Sequence, residues 1–76
     1  MPQVRTVTPN GASIRAARLA LGLSPQQVAD RMGQRHAQTI RKLERGAIPN
    51  ASELLIHQLA LALRKPVDDL ILQDAA

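Results

Sequence analysis

The chain has 76 residues, a formal net charge of +4, and neither cysteine nor aromatic residues. This length suits one small domain, and the missing cysteines exclude disulfides and thiolate metal sites. The missing aromatics argue against binding of single-stranded nucleic acid by base stacking. The longest apolar run, LALAL, is far too short to span a bilayer, and no segment resembles a signal peptide, so we expect a cytoplasmic protein.

Positive charge is concentrated in the first part of the chain. Residues 1–45 contain eight Lys/Arg and two acids, a balance of +6. Residues 46–76 contain two Lys/Arg and four acids, a balance of −2. This asymmetry favours a surface that binds a polyanion in one part of the molecule and a different role for the other part. A solvated basic surface without a ligand is the alternative that charge alone leaves open.

The predicted elements make an all-α domain over residues 11–73, with residues 74–76 as a short tail. Residues 1–10 carry two prolines and are interpreted as a flexible arm, with a short edge strand as the alternative. Apolar periodicity and helix boundary signals predict five short helices, at about residues 12–21, 25–32, 37–45, 50–63 and 66–72.

Capping residues support three of these helix starts. Asn10 or Ser13 stands at the start of the first helix, and Ser24 with Gln27 matches the capping-box pattern before the second. Asn50 is expected to begin the fourth helix.

Charged and apolar residues separate on the third predicted helix. At 100° per residue, Glu44 lies on the apolar side, whereas the cations lie on the other. An unpaired buried carboxylate would cost several kcal/mol, so Glu44 needs a partner. Arg18 lies on the apolar stripe of the first helix, and we therefore predict an ion pair between Arg18 and Glu44. The alternative is that Arg18 extends to solvent.

The fourth helix is apolar almost all round, which a domain of this size cannot cover by itself. Leu54 and Leu61 lie on the side opposite the predicted core positions. We therefore predict a two-fold dimer interface containing Leu54, Leu61, Ile71 and Leu72. The alternative is that the fifth helix and the tail cover these residues.

The sequence resembles the lambda-repressor-like, Xre-type helix-turn-helix family. The resemblance rests on IRAARLALGLSPQQVADRMG, TIRKLERG and LALALRKPVDDL, and it covers about residues 13–70. It implies a compact five-helix domain that binds double-stranded DNA, is usually dimeric and usually regulates transcription. The second and third helices would form the motif, with the third in the major groove, and the family's Arg–Glu pair falls on Arg18 and Glu44.

Three departures from the family pattern concern the motif itself. The stretch from Gly33 to Glu44 is one residue longer than the common pattern, and it carries polar Gln34 at a turn position that is usually apolar. Pro25 takes the place of a glutamine that often binds phosphate. Gln26 or Gln27 is the expected substitute, and the alternative is that this phosphate contact is missing.

A division of contacts follows for a repressor of this kind reading a near-palindromic operator. Base edges would be read from the outer face and start of the third helix, and phosphates would be bound by helix starts and cations. The base-reading candidates are Arg35, His36, Gln38, Thr39, Arg41 and Lys42. The phosphate-binding candidates are Arg15, Ser24, Gln26, Gln27 and Arg45. For His36 and Thr39, an ordinary surface role is the alternative.

Other classes of function have less support. No cofactor signature or phosphate-binding glycine loop is present, and His36 and His57 lack metal-ligand spacing, so we expect neither an enzyme, nor a cofactor, nor a metal. No small-molecule ligand and no membrane partner are expected, and DNA binding would place the protein at the nucleoid. The rival hypothesis is an antitoxin or adaptor that uses this fold mainly to bind a protein partner through its acidic, leucine-rich second half.

Overall fold

The computed structural model describes residues 6–33 and 37–72. Across these ranges the chain is mostly helical, as expected, but it contains four α-helices rather than five. The elements are β1 Thr6–Val7, α1 Gly11–Ala20, α2 Pro25–Arg31, α3 Gln38–Arg45, β2 Ala51–Ser52, α4 Glu53–Leu63 and a 3-10 helix, Val67–Leu70. Of the described helices, none combines the length and the apolar character needed to cross a membrane.

The predicted fifth α-helix is wrong, because only the 3-10 helix Val67–Leu70 forms there. The carbonyl of Leu70 accepts a hydrogen bond from the Asn10 N–H at 2.8 Å, and Ile71 forms an antiparallel bridge with Pro9. The backbone groups that a longer α-helix would pair internally are therefore paired with the segment before α1. This pairing ends the helix after a single turn.

Residues 6–10 are attached to the domain, in contrast to the flexible arm expected over residues 1–10. β1 pairs antiparallel with β2, with Thr6 opposite Ser52 and Val7 opposite Ala51. The edge strand that the sequence left as an alternative is thus what the structure contains. Residues 1–5 lie outside the described residues.

Side-chain caps define the starts of α1 and α4. The Asn10 side chain accepts a hydrogen bond from the Ser13 N–H at 3.2 Å, so Asn10 is the cap of α1. Ser52 caps α4 by accepting from the Leu55 N–H at 3.1 Å. The expected start at Asn50 is wrong, because the two residues after it are held in β2.

The four α-helices and the 3-10 helix enclose one apolar core. α3 packs against both α1 and α2, and α4 packs against α2 and the 3-10 helix. The largest fully buried side chains are Ile14, Val28, Ile40, Leu43, Ile56, Leu59, Leu63 and Leu70. Because the inner side of α3 is held from two directions, its outer side has a defined orientation.

Gly11 permits a close approach between the first turn of α1 and the last turn of α3. A β-carbon at this position would lie 2.4 Å from the carbonyl oxygen of Glu44 and 2.7 Å from that of Leu43. Backbone atoms cannot yield as a flexible side chain can, so any larger residue would push the two helices apart. Gly11 has no signal in the local sequence, since this contact joins two distant segments.

Candidate nucleic-acid interface

The outer face of α3 is polar and cationic. Four of its side chains, those of Gln38, Arg41, Lys42 and Arg45, are exposed, and Thr39 is half-buried. Ile40 and Leu43 on the opposite side are fully buried. The helix begins at Gln38, with Ala37 as its N-cap. The separation predicted from the helical period is therefore present, and the cations point to solvent.

An ion pair fixes α3 against α1, as the sequence predicts. Arg18 Nε donates to Glu44 Oε2 at 2.7 Å, and Arg18 Nη2 donates to Glu44 Oε1 at 2.9 Å. Arg18 Nη1 donates to the carbonyl of Leu23 at 2.8 Å. Arg18 is only 9% exposed, so it does not extend to solvent. The hydrogen bonds that Arg18 donates to Glu44 raise the pKa of Arg18 above its ordinary value, although burial acts in the opposite direction.

The start of α2 is closed by a reciprocal capping box. Ser24 Oγ accepts from the Gln27 N–H at 3.1 Å, and Gln27 Oε1 accepts from the Ser24 N–H at 2.8 Å. These two side chains, both phosphate-binding candidates, thus have an oxygen engaged in capping. Gln26 is exposed between them, and its Nε2 donates to Asp30 Oδ1 at 3.0 Å one helical turn later.

A shallow open groove connects the start of α2 with the outer face of α3. Its lining residues are Gln26, Ala37, Gln38, Thr39, Arg41 and Lys42. Four of the predicted base-reading residues therefore lie together, next to one predicted phosphate ligand. Glutamine amides can donate and accept, and arginine and lysine supply donors for guanine acceptors or phosphates. This groove has the chemistry needed to read the edges of a DNA duplex.

Two other predicted DNA contacts lie away from this groove. Arg15 on α1 and Arg45 in the last turn of α3 are exposed but do not line the groove. Arg35 and His36 lie outside the described residues.

His57 on α4 has its Nε2 3.5 Å from Glu53 Oε1, one helical turn away. Within residues 6–33 and 37–72, no cluster of His, Asp or Glu is placed to hold a metal ion.

Three of the four residues predicted to form a dimer interface are exposed apolar side chains. Leu54 is 68% exposed, Leu61 82% and Leu72 54%. Ile71 differs, since it is half-buried and packs against the core. The described part of the chain therefore does not cover these three leucines. The alternative was that a fifth α-helix and the tail cover them, and the 3-10 helix that forms there does not do so.

Comparisons with known proteins agree with this architecture. A profile of the helix-turn-helix family matches residues 14–70, most of the chain. The structure is similar to that of the restriction-modification controller protein C.AhdI from Aeromonas hydrophila, with 32% sequence identity and a TM-score of 0.71. This match covers 78% of this chain and 86% of that one.

A second solved structure is similar over the same share of this chain. It is the clp gene regulator ClgR from C. glutamicum, with 27% identity, a TM-score of 0.68, and coverage of 78% of this chain and 74% of that one. Among curated proteins, none matches the sequence significantly.

Proposed function

Because this chain belongs to the lambda-repressor-like, Xre-type helix-turn-helix family of DNA-binding transcription regulators, we propose that it acts as a dimeric repressor of a near-palindromic operator. The observation that carries the proposal is the outer face of α3, where cationic and amide side chains stand together while the single acid is paired inside. An α-helix with such a face fits the major groove of B-DNA.

Two kinds of contact would divide the work. Gln38 would read adenine through its amide, and Arg41 or Lys42 would read guanine acceptors. Gln26 and Arg45 would bind phosphates on either side of the inserted helix, which fixes its register without reading sequence. The placement of four candidates along one groove supports this division.

The division predicts different consequences for Gln38→Ala and Arg45→Ala. Loss of the base-reading amide should cost roughly 1–3 kcal/mol at one operator position and relax discrimination there. Loss of the phosphate cation should weaken operator and random duplex alike, and lower the salt slope of binding by about one. Sites selected from random duplex DNA would supply the operator, and titrations at several salt concentrations would supply both readouts. An equal loss on operator and random DNA for both variants would contradict the division.

A dimer is proposed from the exposed leucines. Leu54 and Leu72 are exposed apolar side chains of the type that oligomer interfaces bury, and they carry the proposed interface. Of the other two predicted members, Ile71 packs against the core, and Leu61 lies in a separate groove with Arg31 and Arg64. A two-fold dimer would place two copies of α3 about one DNA turn, roughly 34 Å, apart. Sedimentation should show a dimer for the unchanged chain and a monomer for Leu54→Gln. A monomer at high micromolar concentration of the unchanged chain would exclude this dimer.

Binding measurements on the same protein preparation distinguish the antitoxin or adaptor hypothesis from the regulator hypothesis. Duplex binding by the isolated chain with a steep dependence on salt supports the regulator. Folding or binding that requires a co-purified protein supports the adaptor, and the exposed leucines of the acidic second half are the feature that favours it.

A further inference from the structure

A second groove lies between the end of α2 and the end of α4. Its lining residues are Arg31, Met32, Gln58, Leu61, Ala62 and Arg64. It shares no lining residue with the groove between α2 and α3. None of the described residues that line it is acidic, and the exposed apolar side chain of Leu61 lies beside two arginines. The groove therefore combines apolar and positive character.

Leu61 and Arg31 define the two chemical features of this groove. Leu61 is 82% exposed, more than any other large apolar side chain in the described ranges. Arg31 lies over the last turn of α4, where its Nη1 donates to the carbonyl of Ala62 at 3.5 Å. The guanidinium has five N–H donors, so further donors are left for a carboxylate.

Arg64 adopts a backbone conformation that favours glycine. It ends α4 with φ 56° and ψ 42°, in the left-handed region. The other three helices are followed by glycines with positive φ, namely Gly22, Gly33 and Gly46. An L side chain in this region is disfavoured by contact between its β-carbon and the backbone. A guanidinium at this position therefore points to a role for the side chain that glycine could not fill.

We propose that this groove binds an acidic amphipathic helix of another protein. Leu61 and Met32 would contact the apolar side chains of that helix, and Arg31 and Arg64 would pair with its carboxylates. This surface is separate from the DNA-reading groove, so the partner could bind while α3 occupies the operator. Leu61 would then have a different partner from Leu54 and Leu72.

Charge and polarity favour this occupant over two others. A two-fold axis at Leu61 would bring Arg31 and Arg64 close to the same arginines of a second copy, which like charges oppose. A DNA backbone would satisfy the arginines but would offer little to the apolar side chains of Leu61 and Met32. An acidic helix with apolar side chains on one face satisfies both features.

The test uses the full chain and a fluorescein-labelled helical peptide with leucines on one face and glutamates beside them. A matched peptide carries glutamine in place of each glutamate. Arg64→Gly should weaken binding of the acidic peptide about tenfold, without lowering the melting temperature, because glycine suits this backbone conformation. The control Arg41→Ala removes one positive charge from the DNA-reading groove, and should change binding of the acidic peptide less than about twofold, since that groove is separate.

Amide chemical shifts of the ¹⁵N-labelled chain locate the peptide. The proposal requires shifts at Leu61 and Arg64 on addition of the acidic peptide, and weaker binding of the glutamine peptide. It is overturned by an absence of binding, by equal binding of both peptides, or by equal losses in Arg64→Gly and Arg41→Ala. Concentration-dependent shifts at Leu61 without peptide would make a second copy the occupant. A lower duplex affinity of Arg64→Gly would make the groove a DNA contact, and either result would overturn the proposal.

Discussion

The ion pair between Arg18 and Glu44 should be the most sensitive single contact for stability. In Glu44→Ala, the buried guanidinium keeps only its hydrogen bond to the carbonyl of Leu23 and loses two charge-assisted ones of 2.7 and 2.9 Å. Removing one partner of a buried pair costs about 3–5 kcal/mol, because the remaining charge is left without compensation. We expect about 3 kcal/mol for Glu44→Ala and a similar loss for Arg18→Ala. The double variant should regain part of it, since it leaves neither charge buried alone.

The assay is urea unfolding followed by circular dichroism for the unchanged chain, both single variants and the double variant. A domain of this size has a total stability of only several kcal/mol, so a stabilising osmolyte should be present at one concentration throughout. Arg18→Lys and Glu44→Gln provide a milder parallel cycle if an alanine variant does not fold. Strictly additive losses in both cycles would refute the reasoning, because additivity means that the two side chains do not interact.

The pH dependence of this contribution follows from the raised pKa of Arg18. A group whose pKa is higher in the folded state than in the unfolded state contributes its full stabilisation at pH values below the unfolded-state pKa. That stabilisation is lost as the pH rises through the folded-state pKa. For an arginine this window lies at extreme alkaline pH. The contribution of the guanidinium to stability should therefore be the same at about pH 6 and about pH 9. The coupling energy between Arg18 and Glu44, measured at both pH values, checks this.

Three further variants test the placement of the elements. Gly11→Ala should destabilise the domain by about 1–3 kcal/mol, because the added methyl group overpacks against the α3 carbonyls. A melting temperature equal to that of the unchanged chain would show that α1 can move away without cost. Ser52→Ala should lower the free energy of unfolding by about 1 kcal/mol, because the α4 cap is lost. Asn50→Ala should change the free energy of unfolding by less than about 0.5 kcal/mol. A larger loss of melting temperature in Asn50→Ala than in Ser52→Ala would contradict this assignment of the cap.

The elements that depend on neighbouring residues could be predicted. The capping box at Ser24 and Gln27 uses residues three apart, and the inward position of Glu44 follows from the period of a single helix. The partner of Glu44 could also be predicted, because Arg18 interrupts an apolar stripe and two buried charges of opposite sign stabilise each other. The exposure of Arg41, Lys42 and Arg45 follows from the same helical period.

The elements that depend on distant residues could not be predicted. The pairing of Thr6 with Ser52 joins segments far apart in the chain, and neither two-residue strand has a periodic signal of its own. The closeness of Gly11 to the end of α3 and the left-handed conformation of Arg64 likewise carry no local pattern. The residues that adjust the contacts between elements therefore have no signal in the local sequence.

The sequence by itself determined the positions of α1, α2 and α3 and most of α4, which face of α3 is cationic, and which acid needs a partner. These properties follow from side-chain chemistry repeated at the helical period. Only the tertiary structure decided that the segment before α1 is paired, that the last helix stops after one turn at Leu70, and that Arg31, Leu61 and Arg64 meet in one groove. Those outcomes depend on backbone hydrogen bonds and helix packing between distant segments, which local sequence does not encode.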